Sequence, residues 1–358
     1  MPGGGFGCFR AVICLEQIEL VDNEKILSLT RQERFLVKIA AVRDKICEFG
    51  ILVITIISAA VVLFIFGFIL SKSWQIFKIN GLGFVTGKGF DQQVLEAFNA
   101  PPGQPVWRFG ALGLLIGTLA TTIGALVIAI PAGLGTAIVI SELAPNYYVK
   151  SFIQTVIRLL ASIPSIIYGL VGLLVVVPFI SKTLITNDMQ IRYIPFFQLT
   201  GNSMLAGIIV LSIMIVPVIV ALSVDAINAV PKKYKEAGLA LGLSHWRTIV
   251  KVIVPAAKSG ILAGIILAAG RAVGEAIALS MVTGGIGNIP NPAHGPVYFL
   301  TPVLTLASAI VNKAESMSTP SIEAALFACG VVLLITCALL SVFTKIVEAI
   351  VKRREGIE

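Results

Sequence analysis

The chain has 358 residues, of which 57% are hydrophobic and only 13% charged, with a net charge of +8 and a mean hydropathy of +0.96. Soluble domains carry about a quarter of their residues as Asp, Glu, Lys or Arg, so this composition points away from a soluble domain and towards an integral membrane protein. Nor does the positive charge indicate nucleic acid, because the Lys and Arg lie beside apolar runs without the interleaved aromatics of a nucleic-acid surface.

Residues 1–33 form an N-terminal extension expected to be partly disordered, and they lack the short apolar core and small-residue cleavage site of a signal peptide. Over 34–48, Phe35, Ile39, Val42 and Ile46 recur at helical spacing. This pattern predicts an amphipathic helix on the inner membrane surface, or equally an extension of the first span into water.

From residue 49 the chain is dominated by apolar runs at 49–70, 109–140, 159–181, 203–224, 260–283 and 324–344. Each is near or above the ~20 residues that cross a bilayer as a helix, giving an all-α polytopic protein with a membrane domain over 49–350. The second run is too long for one straight crossing, and Pro131 with Gly133 and Gly135 predicts a break or bend near its end.

Loops rich in Lys and Arg stay inside. With both termini inside, the internal segments hold 19 of the 27 Lys and Arg and the external loops 7, Arg271 being the remainder. Of the five cysteines, Cys8, Cys14 and Cys47 fall inside and Cys329 and Cys337 within the last span, so no disulfide framework is implied. His245 and His294, the two histidines, offer no metal-ligand spacing.

The first external loop contains "NGLGFVTGKGF". A phosphate-binding loop needs Gly where Leu82 stands and Ser or Thr where Gly89 stands, so the motif fails. No other stretch supplies a nucleotide-binding loop, and no cofactor is implied.

The long internal loop, 225–258, is more informative. Pro231 opens a helix, Gly242 ends it and Ser244 caps a second helix, which carries Trp246, Ile249, Val250 and Ile253 as an apolar stripe before Pro255. Two short helices at a Gly-centred corner make a compact projection suited to a groove on a partner.

That corner resembles the signature loop of importer permeases of the ATP-binding-cassette (ABC) superfamily. Glu236, Ala237 and Gly242 match the pattern in register, Gly238 replaces its second Ala, and Val252, Val254 and Pro255 close it. "GFVTG" at 83–87, "SELAP" at 141–145, "ASIPSIIYGL" at 161–170 and "AAGRAVGEAIALSMVTGG" at 268–285 narrow the resemblance to phosphate-importer permeases of the PstC type. It implies the type-1 importer permease fold and a multi-pass place in the plasma (inner) membrane. The implied partners are a homologous second permease, a cytoplasmic ATPase dimer that hydrolyses the ATP, and an external phosphate-binding protein. It also assigns Glu236, Ala237 and Gly242 to ATPase coupling. Family members usually have Thr where this chain has Ala276.

The fifth run carries two charges, Arg271 and Glu275. Arg at a span centre costs roughly 2.5–3.5 kcal/mol, so it is a functional candidate by default. Its planar fork suits tetrahedral oxyanions. Four residues apart, the two are expected on one helix face, about a turn from each other, lining a substrate path; the plainer reading is a mutually neutralising pair. Other readings of the same Arg are a permease for sulfate or molybdate and a secondary anion transporter. Glu142 and Arg158 read as interface anchors, Tyr168 and Ser165 as path or packing residues, and Gly260, Gly264, Ala268 and Gly274 as close-contact positions.

Overall fold

The computed structural model describes residues 31–101, 104–143 and 146–354. The expectation of disorder in the N-terminal extension lies, for residues 1–30, outside the described residues. The chain divides into two units, residues 1–67 and 68–358. The division falls within helix α1 (Arg31–Asn80), in which residues 34–48 run without interruption into the first apolar span.

In the second unit the principal elements are α2 (Phe90–Phe98), α3 (Leu112–Leu143), α4 (Tyr147–Ala161) and α5 (Ser165–Thr183). After them come α6 (Met204–Asn228), α7 (Lys232–Ala240), α8 (His245–Val273) and α9 (Ile277–Val282). The chain closes with α10 (Leu306–Asn312) and α11 (Pro320–Arg354). Among the described residues, six helices are long and apolar enough to cross a membrane.

The centre is α6, apolar on every side: 61% of its most apolar window is buried, against 22% to 33% for those of α3, α5, α8 and α11. It packs along α3 and α8 where small residues let backbones approach. A Cβ at Gly133 of α3 would lie 2.7 Å from Ile219 Cγ2, one at Gly260 2.6 Å from Ala226 Cβ, and one at Gly264 2.8 Å from Leu222 Cβ. Ala268, fully buried, continues that contact surface. Gly274 does not join it; it lies exposed at the end of α8.

Pro131 does not break its helix. The α-helix over Leu112–Ile138 continues through Pro131 and loosens only later, in a π turn at Val139–Leu143. Burial against α6 holds the helix although the ring forfeits one backbone bond. Two more π turns, Gly172–Val176 and Ile249–Ile253, end just before Pro178 and Pro255, where the α ladder must lose a donor.

Two spans are interrupted where unbroken runs were expected. Residues 159–161 belong to α4 and the third span starts at Ser165, because Pro164 turns the residue before it away from helical geometry. The fifth starts early, at His245, and stops at Val273; 277–282 form the separate α9.

Asp91 of α2, which the sequence reading passed over, accepts the Gly287 N–H and pairs with Lys313 at 2.9 Å. It ties α2 to the segment after α9 and to the end of α10, all near the Leu112 end of α3. At the other end of α3, residues 141–142 share a cavity with α7.

Candidate functional site

Arg271 lies in the last turn of α8. Its neighbours Ala268 and Ala272 are buried in one cluster with Ala125 and Ala129, the middle of α3, and with Leu211, Met214 and Ile215 of α6. This end of α8 thus lies level with the middle of α3 and of α6. Nη1 donates to Ala161 O at 3.2 Å, the last residue of α4. The final carbonyls of a helix lack intrahelical donors and carry partial negative charge, which an Arg complements. Among the described residues Ala161 is the hydrogen-bond partner drawn to it, and the fork has five donors.

Tyr168 reinforces the same spot: its hydroxyl donates to Leu160 O at 2.8 Å, one residue before the carbonyl that Arg271 takes. Tyr168 also packs against clusters containing Ala278 and Leu279 of α9. The end of α4 is therefore gripped by side chains from two other helices, beside the Pro164 break.

Glu275 is placed differently from the expectation. It shares no helix face with Arg271, because α8 ends at Val273 with Gly274 as its cap, and no ion pair joins the two among the described residues. Instead Glu275 Oε1 accepts the Ala278 N–H at 3.0 Å, and the residue is 8% exposed. It satisfies a free amide at the start of α9. Ala276 is the cap residue of α9 and offers no side-chain bond; where the resembled family carries Thr there, this chain has only the carboxylate to cap the helix. The periodicity of the sequence continues through the break, so only the Gly-Glu pair signals it.

The corner follows the sequence reading closely. Helix α7 begins after Pro231 and ends in a left-handed Gly242, φ 80°. Gly242 N–H donates to Leu239 O at 3.0 Å and Leu243 N–H to Gly238 O at 3.2 Å, the double bond pattern of a Schellman end. Ser244 Oγ then accepts the Arg247 N–H at 3.4 Å. Gly238, which replaces the family Ala, fits because a Cβ would meet Thr248 Cγ2 at 2.8 Å: without it α7 seats directly on α8. Glu236, Ala237 and Gly242 are exposed. Of the apolar stripe, Ile249 and Ile253 are buried, but Trp246 and Val250 remain exposed, with Tyr234 and Leu241 nearby in sequence also exposed.

Both expected anchors are engaged. Glu142 pairs with Lys235 at 2.6 Å and Arg158 with Asp225 at 3.1 Å.

Residues 129–353 match the family described as binding-protein-dependent transport system inner membrane component. The chain belongs to that family. As such a component it is a multi-pass protein of the inner membrane that works with an ATPase and a substrate-binding protein. The probable ABC transporter permease protein YqgH of Bacillus subtilis is 38% identical over 235 residues, 66% of this chain and 70% of its own. Phosphate transport system permease protein PstC of Pasteurella multocida is 33% identical over 316 residues, 86% of this chain and 91% of its own. Among solved structures, a bacterial alginate ABC transporter chain aligns with a TM-score of 0.52 at 15% identity, covering 85% of this chain and 94% of that one, which is a likeness of fold.

Proposed function

We propose that this chain is the permease subunit of an ATP-driven phosphate importer, with Arg271 on the substrate path and the α7 corner as the docking point for a cytoplasmic ATPase dimer. The observation that carries the reading is Arg271 itself: a guanidinium where two apolar runs are interrupted, whose partner, Ala161 O, is a neutral carbonyl that a tetrahedral oxyanion can replace. Interrupted spans support it, since broken helices at membrane depth occur where backbone lines a path or is buried in protein. Phosphate is favoured by the PstC relatives, including that of Pasteurella multocida. The exposed Tyr234, Leu241 and Trp246 around the corner support docking, because large apolar side chains exposed among polar residues mark partner surfaces.

In this reading both termini face the cytoplasm. A homologous second permease completes the path, and an external phosphate-binding protein delivers the anion to the Leu112 end of α3. ATP binding closes the ATPase pair and moves α7; hydrolysis, in the ATPase, resets it. The test is uptake of labelled phosphate and sulfate by sealed vesicles containing the whole complex. ATP-dependent phosphate uptake that excess sulfate leaves intact is expected. Uptake driven by an ion gradient without ATP overturns the reading.

A further inference from the structure

The π turn that ends α3 carries Glu142. Its Oε2 accepts from Lys235 Nζ of α7 at 2.6 Å, and the glutamate side chain is only 11% exposed. The pair bridges a cavity of about 430 Å³ lined also by Ser141, Asn228, Lys232 and Glu236. Among the described residues it is a direct side-chain bond from α3 to α7 across that cavity. Lys150 of α4 fixes the near side, donating to Ser141 O at 3.0 Å and to Asn228 Oδ1 at 2.8 Å.

This placement divides two routes of force. Movement of α7 reaches α8 through the chain and the Gly238–Thr248 seat. It reaches α3 across the cavity, through Lys235 and Glu142. Farther along, the middle of α3 and the last turns of α8 meet again, at Ala125, Ala129, Ala268 and Ala272, beside Arg271.

We infer that the Glu142–Lys235 ion pair is a coupling strut that makes α3 follow α7, so that both helices beside Arg271 shift together. The Lys235 side chain is 36% exposed but the carboxylate only 11%, so the pair resists separation chiefly because Glu142 would be left as a largely buried charge without its partner. The strut thus converts a push on one short helix into the concerted displacement of two spans. This inference rests on the ATP-driven reading above.

The test uses the whole complex in vesicles, comparing the natural chain with Glu142→Lys, Lys235→Glu and the doubly exchanged chain. The readouts are ATPase retention on purification and phosphate taken up per ATP hydrolysed. Each single variant is expected to retain the ATPase and hydrolyse ATP, while uptake per ATP falls at least tenfold; the double exchange restores at least half of the natural ratio. A merely structural role moves retention and yield but not this ratio. Single variants with a normal ratio, or an exchange no better than the worse single, overturn the strut while leaving the transport reading standing. Failure of the natural complex to take up phosphate overturns both.

Discussion

Glu275 Oε1 accepts the Ala278 N–H at 3.0 Å, so the carboxylate four residues after Arg271 serves the start of the next helix. Any account of anion selectivity at Arg271 must separate the charge of Glu275 from its service as a cap.

Substitution separates them. Glu275→Gln keeps an acceptor oxygen and removes the charge, whereas Glu275→Ala removes both. Glu275→Ala is expected to lose about 1 kcal/mol as a lost helix cap, and adding Ala276→Thr should recover part of it. Thermal unfolding of the purified subunit measures this. Glu275→Gln should keep the natural unfolding midpoint while lowering phosphate uptake and relaxing its preference over sulfate in competition, because a carboxylate accepts from the P–OH of phosphate and repels a fully ionised anion. Unaltered selectivity in Glu275→Gln leaves the residue as a cap alone.

Arg271→Gln should abolish uptake, and Arg271→Lys should restore only a fraction, since an ammonium lacks the planar fork. Initial rates of labelled phosphate uptake decide the order. Equal rates for Lys and Arg at this position are incompatible with fork recognition.

Gly238 and Thr248 form a pair that can be exchanged for a different fit. Gly238→Ala forces a methyl to 2.8 Å from Thr248 Cγ2 and should cost about 1–3 kcal/mol as overpacking. Adding Thr248→Ser removes the opposing methyl and should return most of the loss. Additive effects in the double variant contradict the contact.

The corner itself is tested by Gly242→Val, which sets a β-branched residue at φ 80° and costs at least 1 kcal/mol by the left-handed penalty, and by Glu236→Lys. Both should remain in the membrane and lose the ATPase on pull-down. Normal retention by both variants removes the corner from the docking surface.

Orientation is open to labelling. A membrane-impermeant maleimide added outside intact cells should modify a cysteine placed at Lys88 or Asn187 and spare one at Lys232. Modification at 232 reverses the topology inferred from charge.

The corner was readable from sequence because its determinants are local: Pro231, Gly242 and Ser244 each impose a conformation on the next few residues. The central helix was readable from its unbroken hydrophobicity. Breaks were harder to see. Gly274 and Glu275 sit in a run whose apolar spacing continues on both sides, and the helix yields there because a side-chain oxygen outcompetes the ladder for the Ala278 amide. Contacts such as Lys235 with Glu142, 93 residues apart, and Asp91 with Gly287, 196 apart, depend on tertiary placement that no local pattern encodes. Tyr168 was a candidate, but the carbonyl it holds follows from a turn at Pro164 that only the fold positions.

The Arg271–Ala161 bond also bears on how the protein is made. Ala161 precedes Arg271 by 110 residues, so the ribosome has released the end of α4 well before the fifth span enters the translocon. A guanidinium leaving for lipid faces a cost of roughly 2.5–3.5 kcal/mol, and here an acceptor carbonyl already stands in the nascent chain to receive it. Order of synthesis thereby places the acceptor before the charge, and a chain rearranged to make the fifth span first would have to insert Arg271 with no native partner yet synthesised.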